Sequence, residues 1–149
     1  MVVGHGGSAS IYVGAHDGPT IARIVDFLQR NDVTGVVFTR QAMEGTFALE
    51  QAAIDSADAP DIVVSFRWSD AAASTTGLPG QVVCDSEKRQ PGQGIHASLS
   101  RFDMHNTLIA AGPDFKKDFV DQLPTGNIDV APTLFHILGL KPQNTLDGR

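Results

Sequence analysis

The sequence predicts an α/β fold with a mostly parallel sheet, and three observations carry that expectation. A strand-type run, a helical pattern and a second strand-type run follow one another in the first forty residues. Apolar runs at 35–39, 62–68 and 107–111 have the length and β-branched content of buried strands. A well-marked amphipathic helix then closes the order, and strands alternating with helices are what a mostly parallel sheet needs.

Residues 8–13, Ser-Ala-Ser-Ile-Tyr-Val, read as a short strand. Asp17-Gly18-Pro19 supplies a helix start, with an Asp cap and a Pro in the first turn. Ile21, Ile24, Val25 and Leu28 follow at i, i+3, i+4, i+7 and share one helical face, and Asn31-Asp32 ends the helix. Gly35-Val36-Val37-Phe38-Thr39 is a continuous apolar run of the kind covered on both faces. The opening is thus β-α-β, whose two strands are expected to lie parallel in one sheet. A short helix or turn is expected over 46–54, and a third strand over 62–68. From Ser69 to Gly94 the chain is rich in Ser, Thr, Gly, Pro and Gln, with only Val82-Val83-Cys84 strand-like, which predicts a long loop, functional or mobile. Residues 107–111 form a further buried-type strand, stopped by Gly112-Pro113. In the last helix Asp129 is the expected cap, Pro132 sits in the first turn, and Ala131, Leu134, Phe135 and Leu138 make the apolar face. Gly139 ends it and Pro142 follows. The 149 residues are expected to form a single domain, with a strand-helix-strand region at 7–68, a long loop at 69–106 and a strand and final helix at 107–149.

With 42% hydrophobic and 19% charged residues, the composition is that of a globular protein. A formal net charge of −6 argues against a nucleic-acid-binding surface, which needs a basic face. No apolar run approaches a membrane span, and no basic segment followed by an apolar one marks a signal peptide near Met1. The single cysteine, Cys84, rules out a disulfide within the chain and a cysteine-based zinc site; it reads as a buried small apolar residue.

Histidine is the residue type with most chemical scope here. His96 sits in Gly94-Ile95-His96-Ala97-Ser98, where small neighbours leave an imidazole free to approach a cation. His5, in Gly4-His5-Gly6-Gly7, lacks an adjacent carboxylate and reads as a flexible N-terminal residue. His16 reads as solvent-facing, His105 as a structural residue of a turn, and His136 as helical. Ser98 and Ser100 have no strand-turn-helix elbow to present a nucleophile. The Gly-rich patches match no phosphate-cradling or dinucleotide loop. Asp55, Asp58, Asp61 and Asp70 have no spacing that pairs two of them on one face.

Residues 94–107, Gly-Ile-His-Ala-Ser-Leu-Ser-Arg-Phe-Asp-Met-His-Asn-Thr, resemble the "G-x-H-G-S…D-M" segment of the type I phosphodiesterase/nucleotide pyrophosphatases, members of the alkaline-phosphatase superfamily alongside sulfatases. Ala110-Ala111-Gly112-Pro113-Asp114-Phe115 looks like the family's "GP-x-F" strand end. Residues 127–140 are similar to its "D-x-A-P-T…LG" helix, and Asp147-Gly148-Arg149 to its "DGR". The four motifs occur in order over 94–149, with a looser fit over 7–68.

The resemblance implies the C-terminal portion of an alkaline-phosphatase-like α/β/α sandwich, without the N-terminal half of that fold. In the family two zinc-type ions, held by Asp and His, activate a Thr or Ser nucleophile against a phosphate ester. His96 matches the histidine that ligates one of them. The nucleophile and first Asp ligand belong to the absent half, Gly4 stands where the Asp of a "D-H-G" loop would be, and Ala97 replaces the usual Gly. One imidazole does not hold zinc, so this chain is expected to bind none alone and to be inactive. The expectation is therefore a fragment of a metal-dependent hydrolase acting on a small phosphate ester. A non-enzymatic remnant acting by association, or a sulfatase fragment, are the alternatives. An exposed sheet edge and apolar faces would favour self-association into a homo-oligomer.

Overall fold

Asp17 opens the helix α1 (Gly18–Gln29): its carboxylate accepts the Thr20 N–H at 3.0 Å, with a Pro in the first turn, as the sequence predicts. The computed structural model describes every residue except 55, 74, 75, 86–89, 91 and 149, so Asp55, Arg149 and part of the 69–94 stretch lie outside the described residues. The chain divides into two compact units, Met1–Asn106 and Thr107–Arg149.

The first unit is built on a five-stranded sheet of β1 (Val2–Gly4), β2 (Ser8–Ile11), β3 (Thr34–Thr39), β4 (Phe47–Ala48) and β5 (Ile62–Phe66). The spatial order is β1-β2-β5-β3-β4. The class is mixed α/β, but the sheet is not mostly parallel and the architecture is not a parallel α/β/α sandwich. Among the described residues only β3 and β4 pair in parallel; β1–β2, β2–β5 and β5–β3 are antiparallel. The β2-α1-β3 opening does place its two strands in the same direction, with β5 inserted between them. The reason lies at Asp61. Its N–H donates to Ile11 O at 3.0 Å and its carbonyl accepts from Arg40 N–H at 3.2 Å. The start of β5 is thereby pinned where β2 and β3 finish, and β5 must run back against both. A continuous apolar run signals a strand covered on both faces, not its direction.

The register sorts the two faces. Ala9, Ile11, Val37, Ile62 and Val64 lie on the side of α1, where Val25, Ile21, Ile24 and Leu28 complete the core. Ile62 is fully buried. The helical face read from the sequence is the one that packs. On the opposite side Ser8 pairs with Ser65, and Ser10 stands beside Val63, all three serines being buried. A buried serine row needs polar partners, and it is there that the chain returns.

The third strand stops at Phe66 and not at Trp68. Arg67 donates its N–H to Val33 O at 2.8 Å and accepts Val83 N–H at 2.9 Å, turning the chain out of the sheet. The expected long loop is then largely a hairpin of β6 (Trp68–Ala72) and β7 (Pro79–Val82). Its alternation is hidden by small and polar residues, and it is held by Trp68 edge-on to Phe102 at 6.2 Å. The 46–54 region is β4 followed by a short 3₁₀ turn, Leu49–Ala52.

In the second unit residues 107–111 form no strand; Leu108 and Ile109 are exposed. A strand needs a hydrogen-bonding neighbour, and the described residues of this unit contain none. The helix α3 (Val130–Ile137) is present, ended by Gly139 at φ 64° with Leu140 N–H bonded to Phe135 O at 2.9 Å. Asp129 precedes it, but its carboxylate accepts the Gly126 N–H at 2.8 Å and does not cap α3. Leu134 and Leu138, expected on a packed face, are exposed. No helix among the described residues is long and apolar enough to cross a membrane.

Candidate functional site

The turn Gly4–Gly7, between β1 and β2, carries His5 and is bonded to Asp85 and to the main chain at His96. Gly6 N–H donates to Asp85 Oδ2 at 3.1 Å and Gly6 O accepts Asp85 N–H at 3.1 Å. The next residue, Gly7, donates its N–H to the carbonyl of His96 at 2.9 Å, and its own carbonyl accepts from Phe66 N–H at 2.9 Å. The turn must be glycine-rich for this. A Cβ on Gly4 would fall on the Asp85 carboxylate, and one on Gly7 would lie 2.6 Å from Ser98 Cβ.

His5 is not a frayed terminal residue. Its Nε2 lies 2.9 Å from Ser10 Oγ, and its N–H donates to Ser8 O at 2.9 Å, because β1 continues the sheet up to Gly4. His96 is exposed. Ala97 after it has φ 64°, a left-handed conformation that glycine adopts without strain.

Beyond His96 the chain is fastened onto the serine face. Asp103 Oδ2 accepts both Ser98 N–H at 2.8 Å and Ser98 Oγ–H at 2.9 Å; Leu99 N–H donates to Ser65 Oγ at 3.1 Å. Ser100 caps the short helix α2 (Arg101–Met104) through Phe102 N–H at 3.3 Å. Ser98 and Ser100 are both buried and satisfied. They anchor the segment to the serine face of the sheet. His105 follows α2 and is exposed, as is His136 on α3. Cys84 is half-buried beside Asp85, less enclosed than its residue type suggested.

A second polar centre was not legible in the sequence. Asp61 is 1% exposed, accepting Val13 N–H at 2.7 Å and His16 Nδ1 at 2.6 Å, with Arg40 Nε at 3.5 Å. Burial pushes its carboxyl up, but the Val13 and His16 hydrogen bonds and the His16 and Arg40 charges outweigh it, and the net displacement is downward. Hydrogen bonds from Thr20 likewise hold the Asp17 carboxyl below its ordinary value. His16 is solvent-facing as expected, yet it is tied through one ring nitrogen, and Ala15 and His16 both take left-handed φ (55° and 51°) to make the reach.

Asp85 and His96 are attached to successive residues of the turn that carries His5. Even so, no three His, Cys, Asp or Glu side chains among the described residues converge so as to hold a metal ion. The described residues alone do not fit a two-zinc centre; His96 offers at most one donor to a cation completed from elsewhere. The chain matches no protein-family model, no curated protein and no solved structure.

Proposed function

We propose that this chain is the C-terminal portion of a metal-dependent hydrolase of phosphate esters, of the phosphodiesterase/nucleotide pyrophosphatase kind, with His96 as one ligand of a divalent cation. The observation that supports this reading is the bond between Gly7 N–H and His96 O. It fastens the main chain at His96, 89 positions beyond Gly7, to the turn that carries His5. The four motifs over 94–149 supply the reaction class, and zinc-type ions would supply Lewis acidity to the ester oxygens. The remaining ligands and the nucleophile would come from outside these residues, and the chain alone is inactive.

The test uses the native gene product, assayed with zinc against bis-p-nitrophenyl phosphate and p-nitrophenyl sulfate. The expected result is chelator-sensitive phosphodiester hydrolysis, lowered by at least about 100-fold in His96→Ala, since losing a ligand costs more than losing its outer partner. The 149-residue chain should hydrolyse neither compound. A native product without metal-dependent hydrolysis, or one indifferent to His96, overturns the reading; sulfate hydrolysis alone would move it to the sulfatases. A non-enzymatic role in association is favoured by one feature, the many exposed apolar side chains of the second unit, among them Ile109, Val120, Leu123 and Leu138.

A further inference from the structure

Of the five histidines, His16 is the one whose ring is held by a carboxylate among the described residues. Its Nδ1 lies 2.6 Å from Asp61 Oδ1, and the carboxylate behind it is fixed in place. Oδ2 accepts Val13 N–H at 2.7 Å, Arg40 Nε stands 3.5 Å from Oδ1, and the Asp61 main chain is bonded to Ile11 and Arg40. The lowered carboxyl is ionised near neutrality, and an ionised carboxylate only accepts. Nδ1 therefore carries the hydrogen, and a neutral ring keeps its lone pair on Nε2. The Asp61 side chain is 1% exposed and that of His16 65%, so the ring projects from a buried anchor into water. His5 differs, its Nε2 being 2.9 Å from Ser10 Oγ.

The backbone is bent to bring this about. Ala15 and His16 are consecutive non-glycine residues in the left-handed region, with φ 55° and 51°. A bond to so exposed a ring is screened by water and returns little stability. Strain that stability does not explain points to a use for the ring. An imidazole whose tautomer is fixed from behind, and whose far nitrogen is in water, is a nucleophile. It needs no cavity when the group it receives is itself well hydrated, as a phosphoryl dianion is.

We propose that His16 Nε2 is a phosphoryl-acceptor site, modified by donors that carry a phosphorus–nitrogen bond. Nε2 attacks phosphorus, a new N–P bond forms as the donor's P–N bond breaks, and the donor nitrogen departs with the bonding pair as a neutral amine. Nδ1 keeps its hydrogen throughout. The ring becomes a phosphoimidazolium, and its positive charge rests against the Asp61 carboxylate. Asp61 is the positioning residue. The inference uses neither His96 nor a metal, and stands apart from the hydrolase reading.

The test incubates the full chain with phosphoramidate at mildly alkaline pH in the presence of a chelator. An acid-labile, alkali-stable phosphate should appear on His16, located by peptide fragmentation and assigned to Nε2 by phosphorus NMR. Its labelling should outpace that of the exposed His96, His105 and His136 by at least about tenfold, and should fall by about tenfold or more in Asp61→Asn with unchanged circular dichroism. Nitrogen NMR of the unmodified native chain should place the ring hydrogen of neutral His16 on Nδ1, a readout that does not depend on the variant folding. Equal labelling of the four exposed histidines, a label on Nδ1 of His16, unaltered labelling in folded Asp61→Asn, or a native ring protonated on Nε2 in its neutral form would each overturn the proposal.

Discussion

His16 Nδ1 and Asp61 Oδ1 lie 2.6 Å apart although 45 residues separate them in the chain, and the carboxylate is buried while the imidazole is mostly in water. This asymmetry decides what each partner is worth. Asp61 also holds Val13 N–H, so Asp61→Ala strands a buried donor and should cost about 2–3 kcal/mol in urea unfolding. His16→Ala removes only a solvent-screened partner and should cost less than about 1 kcal/mol. Equal losses from the two substitutions would show that the pair is held by the imidazole.

The pH dependence of Asp61 follows from its lowered carboxyl. The folded value lies below the ordinary 3.8, so its stabilising contribution is complete above 3.8 and is lost as pH falls through the folded value. The gap in urea midpoint between the native chain and Asp61→Asn should therefore be constant near neutrality and shrink below pH 3.8. A gap that grows on acidification would contradict the sign.

Gly7→Ala places a methyl group against Ser98 and close to the His96 carbonyl. The neighbours are backbone and a buried serine, so little can yield, and the cost should be about 1–3 kcal/mol. Amide exchange at Gly7, whose N–H is bonded to His96, should accelerate more than at Val64 in the centre of β5. Unchanged protection at Gly7 would mean that the His96 segment is held by its other bonds.

Ile62→Ala opens a cavity in the core shared with α1 and should cost about 2–5 kcal/mol. The same truncation at Leu123, which is 69% exposed, should leave the unfolding of the first unit within about 0.5 kcal/mol of the native chain. Fluorescence of Trp68, in the first unit, reports on both.

Amides of α3 should exchange far faster than those of β5. The helix has eight residues, and Leu134 and Leu138 are exposed, so neither length nor burial protects it. Exchange of α3 as slow as that of the sheet would show burial not apparent in its accessible surface.

What was legible in the sequence was local. The Asp17 cap, the 21-24-25-28 stripe and the glycine end of α3 follow from interactions within a turn or two, and they stand where the spacing puts them. Strand direction was not legible, because it is set by Asp61 bonding to Ile11 and Arg40 across the fold. The β6–β7 hairpin was hidden because its strands carry Ser, Gly and Gln where an apolar alternation would have shown. At the site, the attachment of the His96 main chain to Gly7 could not be read from the sequence, and His5 was misjudged because an early position was equated with a loose one. The hub at Asp61 had no sequence signal beyond a Pro-Asp step.

Interposing β5 between β2 and β3 has a consequence for how the protein is made. Strands two places apart in a sheet stand roughly 10 Å from each other, beyond hydrogen-bonding reach. A nascent chain that has emerged only as far as residue 61 thus possesses helix α1 and two strands that cannot bond to one another. The wedge arrives last among them, and the ribosome must release it before the core can zip shut.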